Sequence, residues 1–167
     1  MKSIEQHLRA RIKGWLIFFI AGLVLSGLTA FPIETELAFI TKPGIASNDL
    51  QQWINTVYQA IKITNANYPY LSYGTDWLAF AHIIIAITFI GPLRNPVRNI
   101  WVLQFGMIAC AAILPLAFIV GPIRHIPMGW SLIDCAFGVV GIIPLYLCYR
   151  YTKKLEYIET ENLTFHN

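Results

Sequence analysis

The sequence predicts an all-α integral membrane protein, a bundle of four transmembrane helices with one extracytoplasmic amphipathic interfacial helix. The first observation is composition. Of the 167 residues, 56% are hydrophobic and 13% are charged, and the mean hydropathy is +0.56, which differs from the usual make-up of a soluble domain. The second observation is four apolar runs that approach or reach the length needed to cross a hydrocarbon core, roughly 20 helical residues and about 17 at the short end.

The four predicted spans follow one another within a single membrane domain. They cover about 14–31, 76–90, 100–120 and 128–148. The first run follows basic residues, as in a signal peptide, but it exceeds the usual ~7–15 apolar residues and lacks a good cleavage site, so we expect a retained anchor. The second run is short, and it spans the bilayer only with Asp76 and Trp77 in the headgroup zone, where tryptophan is favourable.

The distribution of basic residues predicts the orientation of these spans. Nine of the 12 Lys and Arg residues fall on one side of a four-span arrangement: Lys2, Arg9, Arg11, Lys13, Arg94, Arg98, Arg150, Lys153 and Lys154. The other side carries three, which are Lys42, Lys62 and Arg124. Since basic residues are retained in the cytoplasm, we expect a multi-pass protein of the cell or inner membrane with cytoplasmic N- and C-termini.

The longest connection, 32–75, contains the amphipathic helix, at about 48–63. Apolar residues recur there at helical spacing: Leu50, Trp53, Ile54, Val57, Tyr58 and Ile61. The apolar face of such a helix must be covered, by the outer leaflet or by the tops of the spans. The sequence leaves open whether this helix only docks at the surface or gates a site beneath it.

Two ionisable residues lie inside predicted spans, where such groups are costly and often mark functional sites. His82 and Asp134 each lie about six residues from the outer end of their span, a depth of roughly 9 Å. We expect the two side chains to meet, directly or through one water molecule, because each alone in hydrocarbon would cost several kcal/mol. Asp76 points about 120° away from His82 on an ideal helix, and is either solvated or a helix cap.

The short outer loop before the fourth span supplies the other partners within reach. Arg124 and His125 complete a candidate ligand- or proton-binding cluster with His82, Asp134 and, more peripherally, Asp76. Three interpretations stay open: a buried pair that fixes helix register, a proton- or ligand-handling site, and metal or haem ligation. The last is weakest, because His82 is the one histidine in a span and carboxylate plus imidazole is a poor metal set unless His125 joins.

Small residues and prolines predict how the spans pack and end. Gly22 with Ser26, and Gly106 with Cys110, have the small-x-x-x-small spacing of close helix contacts. The pattern Gly-Pro-apolar-Arg occurs at 91–94 and 121–124. Because glycine ends helices and proline prevents their continuation, we expect two similar helix stops.

The motifs of several enzyme classes are missing, which leaves any enzymatic activity uncertain and favours a non-enzymatic protein. The sequence has no G-x-S-x-G elbow, H-E-x-x-H, phosphate-binding glycine loop or C-x-x-C dithiol, and no basic patch with interleaved aromatics for nucleic acid. No cofactor is indicated. Two hypotheses remain: a binding or transport protein that handles a proton or small ligand, and a structural or assembly subunit of a larger membrane complex or homo-oligomer.

Overall fold

The residues that the computed structural model describes, 2–41 and 48–164, are mostly helical and contain no strand. The helices are α1 (Lys2–Ala30), α2 (Ile33–Ile40), α3 (Asn48–Asn67), a 3₁₀ turn (Pro69–Leu71), α4 (Tyr73–Thr88), α5 (Ile90–Arg94), α6 (Ile100–Ile123) and α7 (Met128–Thr164). Four stretches are long and apolar enough to cross a membrane: Ser3–Ala30, Pro69–Arg94, Ile100–Ile123 and Met128–Asn162. The predicted all-α membrane bundle is confirmed.

The four long helices pair as two hairpins. In the first, α1 packs on α4, and in the second, α6 packs on α7. The hairpins join mainly where α1 also packs on α7. Their shared core contains buried residues from both hairpins: Leu8, Ile12, Leu16, Phe89, Val102, Leu103, Cys110, Leu145, Cys148 and Leu155. This core lies toward the end of the bundle that carries both chain termini, hereafter the termini end.

Glycines set the distances between helices within each hairpin. A Cβ placed on Gly138 of α7 would lie 2.6 Å from the backbone oxygen of Cys110 in α6. One placed on Gly27 of α1 would lie 2.8 Å from the backbone oxygen of Ala79 in α4. Since real Cβ atoms do not approach backbone oxygens this closely, only glycine permits these helix contacts.

The predicted close contact of Gly106 and Cys110 is confirmed, whereas that of Gly22 and Ser26 is wrong within this chain. Gly106 and Cys110 are buried between α6 and α7. Gly22 and Ser26 are exposed on α1, and a Cβ on Gly22 would meet nothing within 4 Å. Small-residue spacing permits close packing but does not select the partner helix, and no described helix covers this face.

The predicted amphipathic helix is α3, and it packs against α2 and the 3₁₀ turn. All six residues of its predicted apolar face are buried or half-buried, with Ile54 the most enclosed. Leu37 of α2 is likewise buried. An amide hydrogen bond ties the two helices, from Asn65 Nδ2 to Glu34 Oε2 at 2.6 Å. The apolar face of α3 is therefore covered at least in part by protein, and its placement on the extracytoplasmic side stays a prediction.

Two helices extend well beyond the hydrophobic runs that predicted them. Helix α7 has 37 residues, which at 1.5 Å per residue is about 55 Å, against roughly 30 Å for a hydrocarbon core. Its last turns lie beside the start of α1, where Arg9 Nη2 and Glu159 Oε1 are 2.5 Å apart. Leu155 is completely buried there. Both terminal segments thus form one helical pair; whether it lies in the cytoplasm stays a prediction from charge.

Helices end within both predicted stops, α5 at Arg94 and α6 at Ile123, but the prolines of the two stops lie inside the helices. Pro92 and Arg94 lie inside the short helix α5, and α6 continues through Pro122 to Ile123. Pro92 is the third residue of α5, where a missing backbone N–H costs nothing because the first-turn N–H groups have no helical acceptor. Arg94 is consequently held in the last turn of a helix.

Thr152 is a buried polar residue in α7, and replacing its hydroxyl group with a methyl group is expected to stabilise the protein. Its side chain has no exposed surface, and its Oγ1 has no hydrogen-bond partner among the described residues. An unsatisfied buried hydroxyl costs about 1–3 kcal/mol. We therefore expect Thr152→Val, which keeps the shape, to raise the free energy of unfolding by about 1 kcal/mol, measured by denaturation in detergent.

The matched control is Thr160→Val, because the Thr160 hydroxyl donates to the backbone oxygen of Glu156 at 2.9 Å. This variant should give no gain. A loss of stability in Thr152→Val would contradict the prediction, since it would mean that the Thr152 hydroxyl has a partner.

Candidate functional site

Two phenylalanines close the centre of the bundle and form the floor of the candidate site. The rings of Phe19 in α1 and Phe89, the residue that follows α4, meet edge to face, with centroids 4.8 Å apart. A Cβ on Gly106 would lie 2.8 Å from Phe89 Cζ, and one on Gly141 would lie 3.5 Å from Phe19 Cε2. The floor therefore lies among α1, the end of α4, α6 and α7.

The layer on the far side of this floor contains the two predicted in-span ionisable residues. The thiol of Cys148 donates to the backbone oxygen of Ile12 at 3.6 Å, and Gly141 faces Phe19. From Ile12 to Phe19, α1 advances seven residues, and the contacting residue of α7 changes from Cys148 to Gly141, also seven residues. Because seven residues are nearly two helical turns, the next step keeps the same side of each helix. It takes α1 from Phe19 to Ser26 and α7 from Gly141 to Asp134.

The same step on α4 leads from Phe89 to His82. A Cβ on Gly27, the residue after Ser26, would lie 3.2 Å from the His82 Cβ. Ser26, His82 and Asp134 are thus each one step of seven residues beyond the floor, with Ser26 exposed and the other two half-buried. We call these three residues the polar layer.

Asp134 makes no hydrogen bond or ion pair with any residue in 2–41 or 48–164. It is half-buried, on a stripe of α7 that Gly141 and Leu145 continue toward the termini end. An ionised carboxylate within a membrane span is expensive, by roughly 2.5–3.5 kcal/mol on insertion scales. No residue of the described ranges pairs with Asp134 to offset this cost.

His82 is also half-buried, but its ring is bonded to its own helix. Nδ1 lies 2.8 Å from the backbone oxygen of Leu78. A carbonyl oxygen only accepts, so Nδ1 carries a proton, and in the neutral imidazole Nε2 is then a hydrogen-bond acceptor. No hydrogen bond joins His82 to Asp134 among the described residues. Their meeting through one water molecule stays a prediction.

The two hairpins do not share a core at the level of the polar layer. The buried residues there belong to one hairpin each, with Ala79 packed against α1, and Ala117 and Cys135 in the α6–α7 pair. Ser26, which continues the side of α1 that packs on α7 nearer the termini end, is exposed. At this level Ser26 is exposed and Asp134 is half-buried.

Ser26 is a candidate site residue that hydropathy alone does not reveal. In sequence it resembles any small packing residue of a span. The available signal is its spacing of seven from Phe19, but that spacing becomes informative only once Phe19 is known to pack between α4 and α7.

Asp76 lies apart from the polar layer, at the start of α4. It is the fourth residue of the helix, and Ser72 occupies the N-cap position, so the predicted alternative of Asp76 as the cap is wrong. A carboxylate in the first turn is still favoured by the helix dipole. Asp76 lines a shallow cavity of about 290 Å³ whose other walls are aromatic: Phe31, Tyr73, Trp77 and Phe80.

Arg124 and His125 form the turn between α6 and α7, and both are exposed. The backbone N–H of Ile126 donates to Gly121 O at 2.9 Å, and that of His125 donates to Pro122 O at 3.1 Å. These bonds form a Schellman motif with His125 in the left-handed conformation, at φ 56°. Neither side chain bonds to Asp134 in the described structure, so their membership of the cluster stays a prediction.

His125→Gly is expected to raise the free energy of unfolding by about 1 kcal/mol, because the left-handed conformation costs residues other than glycine roughly that amount. The exposed imidazole loses little by removal. Thermal denaturation in detergent measures the effect, and His125→Ala, which keeps a Cβ in the strained conformation, should show no gain. Lower stability of His125→Gly would indicate that the imidazole binds a partner.

No group of three or more His, Cys, Asp or Glu side chains that could hold a metal ion occurs within the described ranges. The polar layer offers one carboxylate, one imidazole nitrogen and one hydroxyl from three helices. All three can accept hydrogen bonds, and the carboxylate can carry negative charge. Comparisons of the chain with protein-family models, curated proteins and solved structures found no match.

Proposed function

We propose that this membrane protein binds a small ligand, or handles a proton, at the polar layer of Ser26, His82 and Asp134. The observation that carries the proposal is Asp134, a half-buried carboxylate inside a span with no partner in the described chain. Natural proteins tolerate such a cost mainly where the group has a function.

The chemistry of the layer favours a cationic or hydrogen-bond-donating ligand. Asp134 supplies negative charge, and His82 Nε2 supplies an acceptor because Nδ1 is held by Leu78. The exposed hydroxyl of Ser26 adds a third acceptor. A small ammonium, a guanidinium or a proton satisfies these groups, whereas an anion is repelled by the carboxylate.

A structural or assembly subunit is the alternative, and a different observation favours it. Gly22 and Ser26 present an exposed small-residue face on α1, with free space at Gly22. Helices in membranes associate through such faces. In a larger complex or a homo-oligomer, a neighbouring helix would pack on this face and could give Asp134 a hydrogen-bond donor.

The experiment is a thermal-stability screen of the purified protein in detergent between pH 5 and 8. The proteins are wild type, His82→Ala and Asp134→Asn, and the probes are methylammonium, guanidinium, divalent metals, haem, quinones and lipids. We expect a cationic probe to stabilise wild type, with the shift reduced in His82→Ala and lost in Asp134→Asn. If nothing stabilises wild type and both variants are less stable, the assembly alternative is favoured and the binding proposal fails.

A further inference from the structure

A basic cavity at the termini end lies outside the proposed ligand site. It has a volume of about 190 Å³ and lies between the first turns of α1 and the segment formed by α5 and the turn after it. Its cationic lining consists of Arg9, Lys13 and Arg94, and its apolar lining includes Ile12 and Leu93. Two separate segments of the chain thus bring three basic side chains to one concave surface.

Two of the three cations have no acidic partner in the described structure. Arg9 is bonded to Glu5 and Glu159, at 3.1 and 2.5 Å, so its charge is offset locally. Lys13 and Arg94 form no ion pair. The other described acids of the termini end are engaged elsewhere, Glu156 with Lys153 and Glu161 with Tyr157. The cavity therefore keeps an excess of positive charge that the protein itself does not neutralise.

The position of the cavity fits the boundary between hydrocarbon and headgroups. Lys13 directly precedes the apolar run of the first span, and Arg94 ends the second candidate span. The walls between them are apolar, with Ile12, Pro92 and Pro96 buried. Long basic side chains at span ends keep their charged tips at the interface. The cavity thus combines basic side chains at the ends of two candidate spans with an apolar wall.

We propose that this cavity binds the phosphate of an anionic membrane lipid, with Lys13 and Arg94 as its ligands. Basic pockets between transmembrane helices bind acidic headgroups because they pair charge in a partly desolvated place. Arginine can hold two phosphate oxygens with its planar fork, and lysine acts as a point charge. The contact also bridges α1 and α5, so a bound lipid would hold the two segments of the first hairpin together at this end.

General attraction of basic residues to an acidic membrane surface is the competing explanation, and the chain provides a matched control. Arg150 lies on α7 at the same end and is exposed, but it does not line the cavity. Diffuse attraction depends on the number of charges near the surface, so Arg150→Gln should then weaken binding as much as Lys13→Gln or Arg94→Gln. Lipid binding in the cavity instead depends specifically on Lys13 and Arg94.

The test is lipid binding by the full-length protein in detergent, followed by native mass spectrometry with phosphatidylglycerol or with phosphatidylcholine. We expect selective retention of phosphatidylglycerol and a roughly fivefold loss of affinity for each of Lys13→Gln and Arg94→Gln, since each cation near a membrane contributes about that factor. Arg150→Gln should stay within about twofold of wild type, and Lys13→Arg should retain binding.

The outcomes separate the possibilities. Equal weakening by Arg150→Gln, or equal retention of both lipids by wild type, overturns the proposal. A second arm adds inorganic phosphate: if millimolar phosphate displaces the lipid, the site recognises free phosphate and the assignment to a lipid is overturned. Denaturation of each variant without anionic lipid verifies folding, and the exposed positions of Lys13 and Arg94 predict little change there.

Discussion

Gly138→Val is expected to lower the free energy of unfolding by roughly 3 kcal/mol, the upper end of the cost of overpacking. The Cβ alone would lie 2.6 Å from the backbone oxygen of Cys110 and 3.4 Å from the Cβ of Ile113. A flexible side chain could move aside, but the Cys110 oxygen belongs to the backbone of α6. The branched valine side chain therefore has to push α6 and α7 apart, and these two helices form the most extensive helix contact in the described structure.

The measurement is denaturation in detergent, by heat or by titration with a denaturing detergent. Gly22→Ala is the matched control, because a Cβ there meets nothing within 4 Å. Since alanine stabilises a helix interior by about 0.5–1 kcal/mol over glycine, this variant should be neutral or slightly more stable. Unchanged stability of Gly138→Val would mean that α6 and α7 do not pack as closely as the structure places them.

Asp134→Asn is expected to change stability in the opposite direction from Gly138→Val. It should raise the free energy of unfolding by roughly 2 kcal/mol, because an unpaired carboxylate in a span is replaced by a neutral amide of the same shape. The same variant is expected to lose binding of a cationic ligand. Gain of stability with loss of function is common where a site is kept at the expense of stability. The prediction therefore separates a functional carboxylate from one that fixes helix packing.

Asp76→Asn is the matched control, with the same chemical change in the first turn of α4. There the carboxylate is favoured by the helix dipole, so we expect a loss of about 0.3–1 kcal/mol. If Asp134→Asn also lowers stability, Asp134 has a donor or cation partner in the assembled protein. The proposed ligand site would then give way to the assembly alternative.

Sequence alone was sufficient for the class of the fold, whereas the depth of its polar residues stays a prediction. Backbone groups in lipid must bond within their own helix, so four long apolar runs leave little choice but four helices. The periodicity of α3 likewise identified the face that is now buried. His82 and Asp134 were expected at one depth because depth follows from the number of residues after the start of a span, at 1.5 Å each.

Tertiary structure decided which helices pair, and therefore what the polar residues face. Hydropathy indicates whether a residue is kept away from water. It does not identify the neighbours of that residue, because lipid and protein are nearly equivalent surroundings for an apolar side chain. The close contacts at Gly27 and Gly138 determine which helices pair, because only glycine lets the helix backbones approach so closely there. That selection left Gly22 and Ser26 exposed, and it left the His82 ring bonded to the backbone oxygen of Leu78 on its own helix.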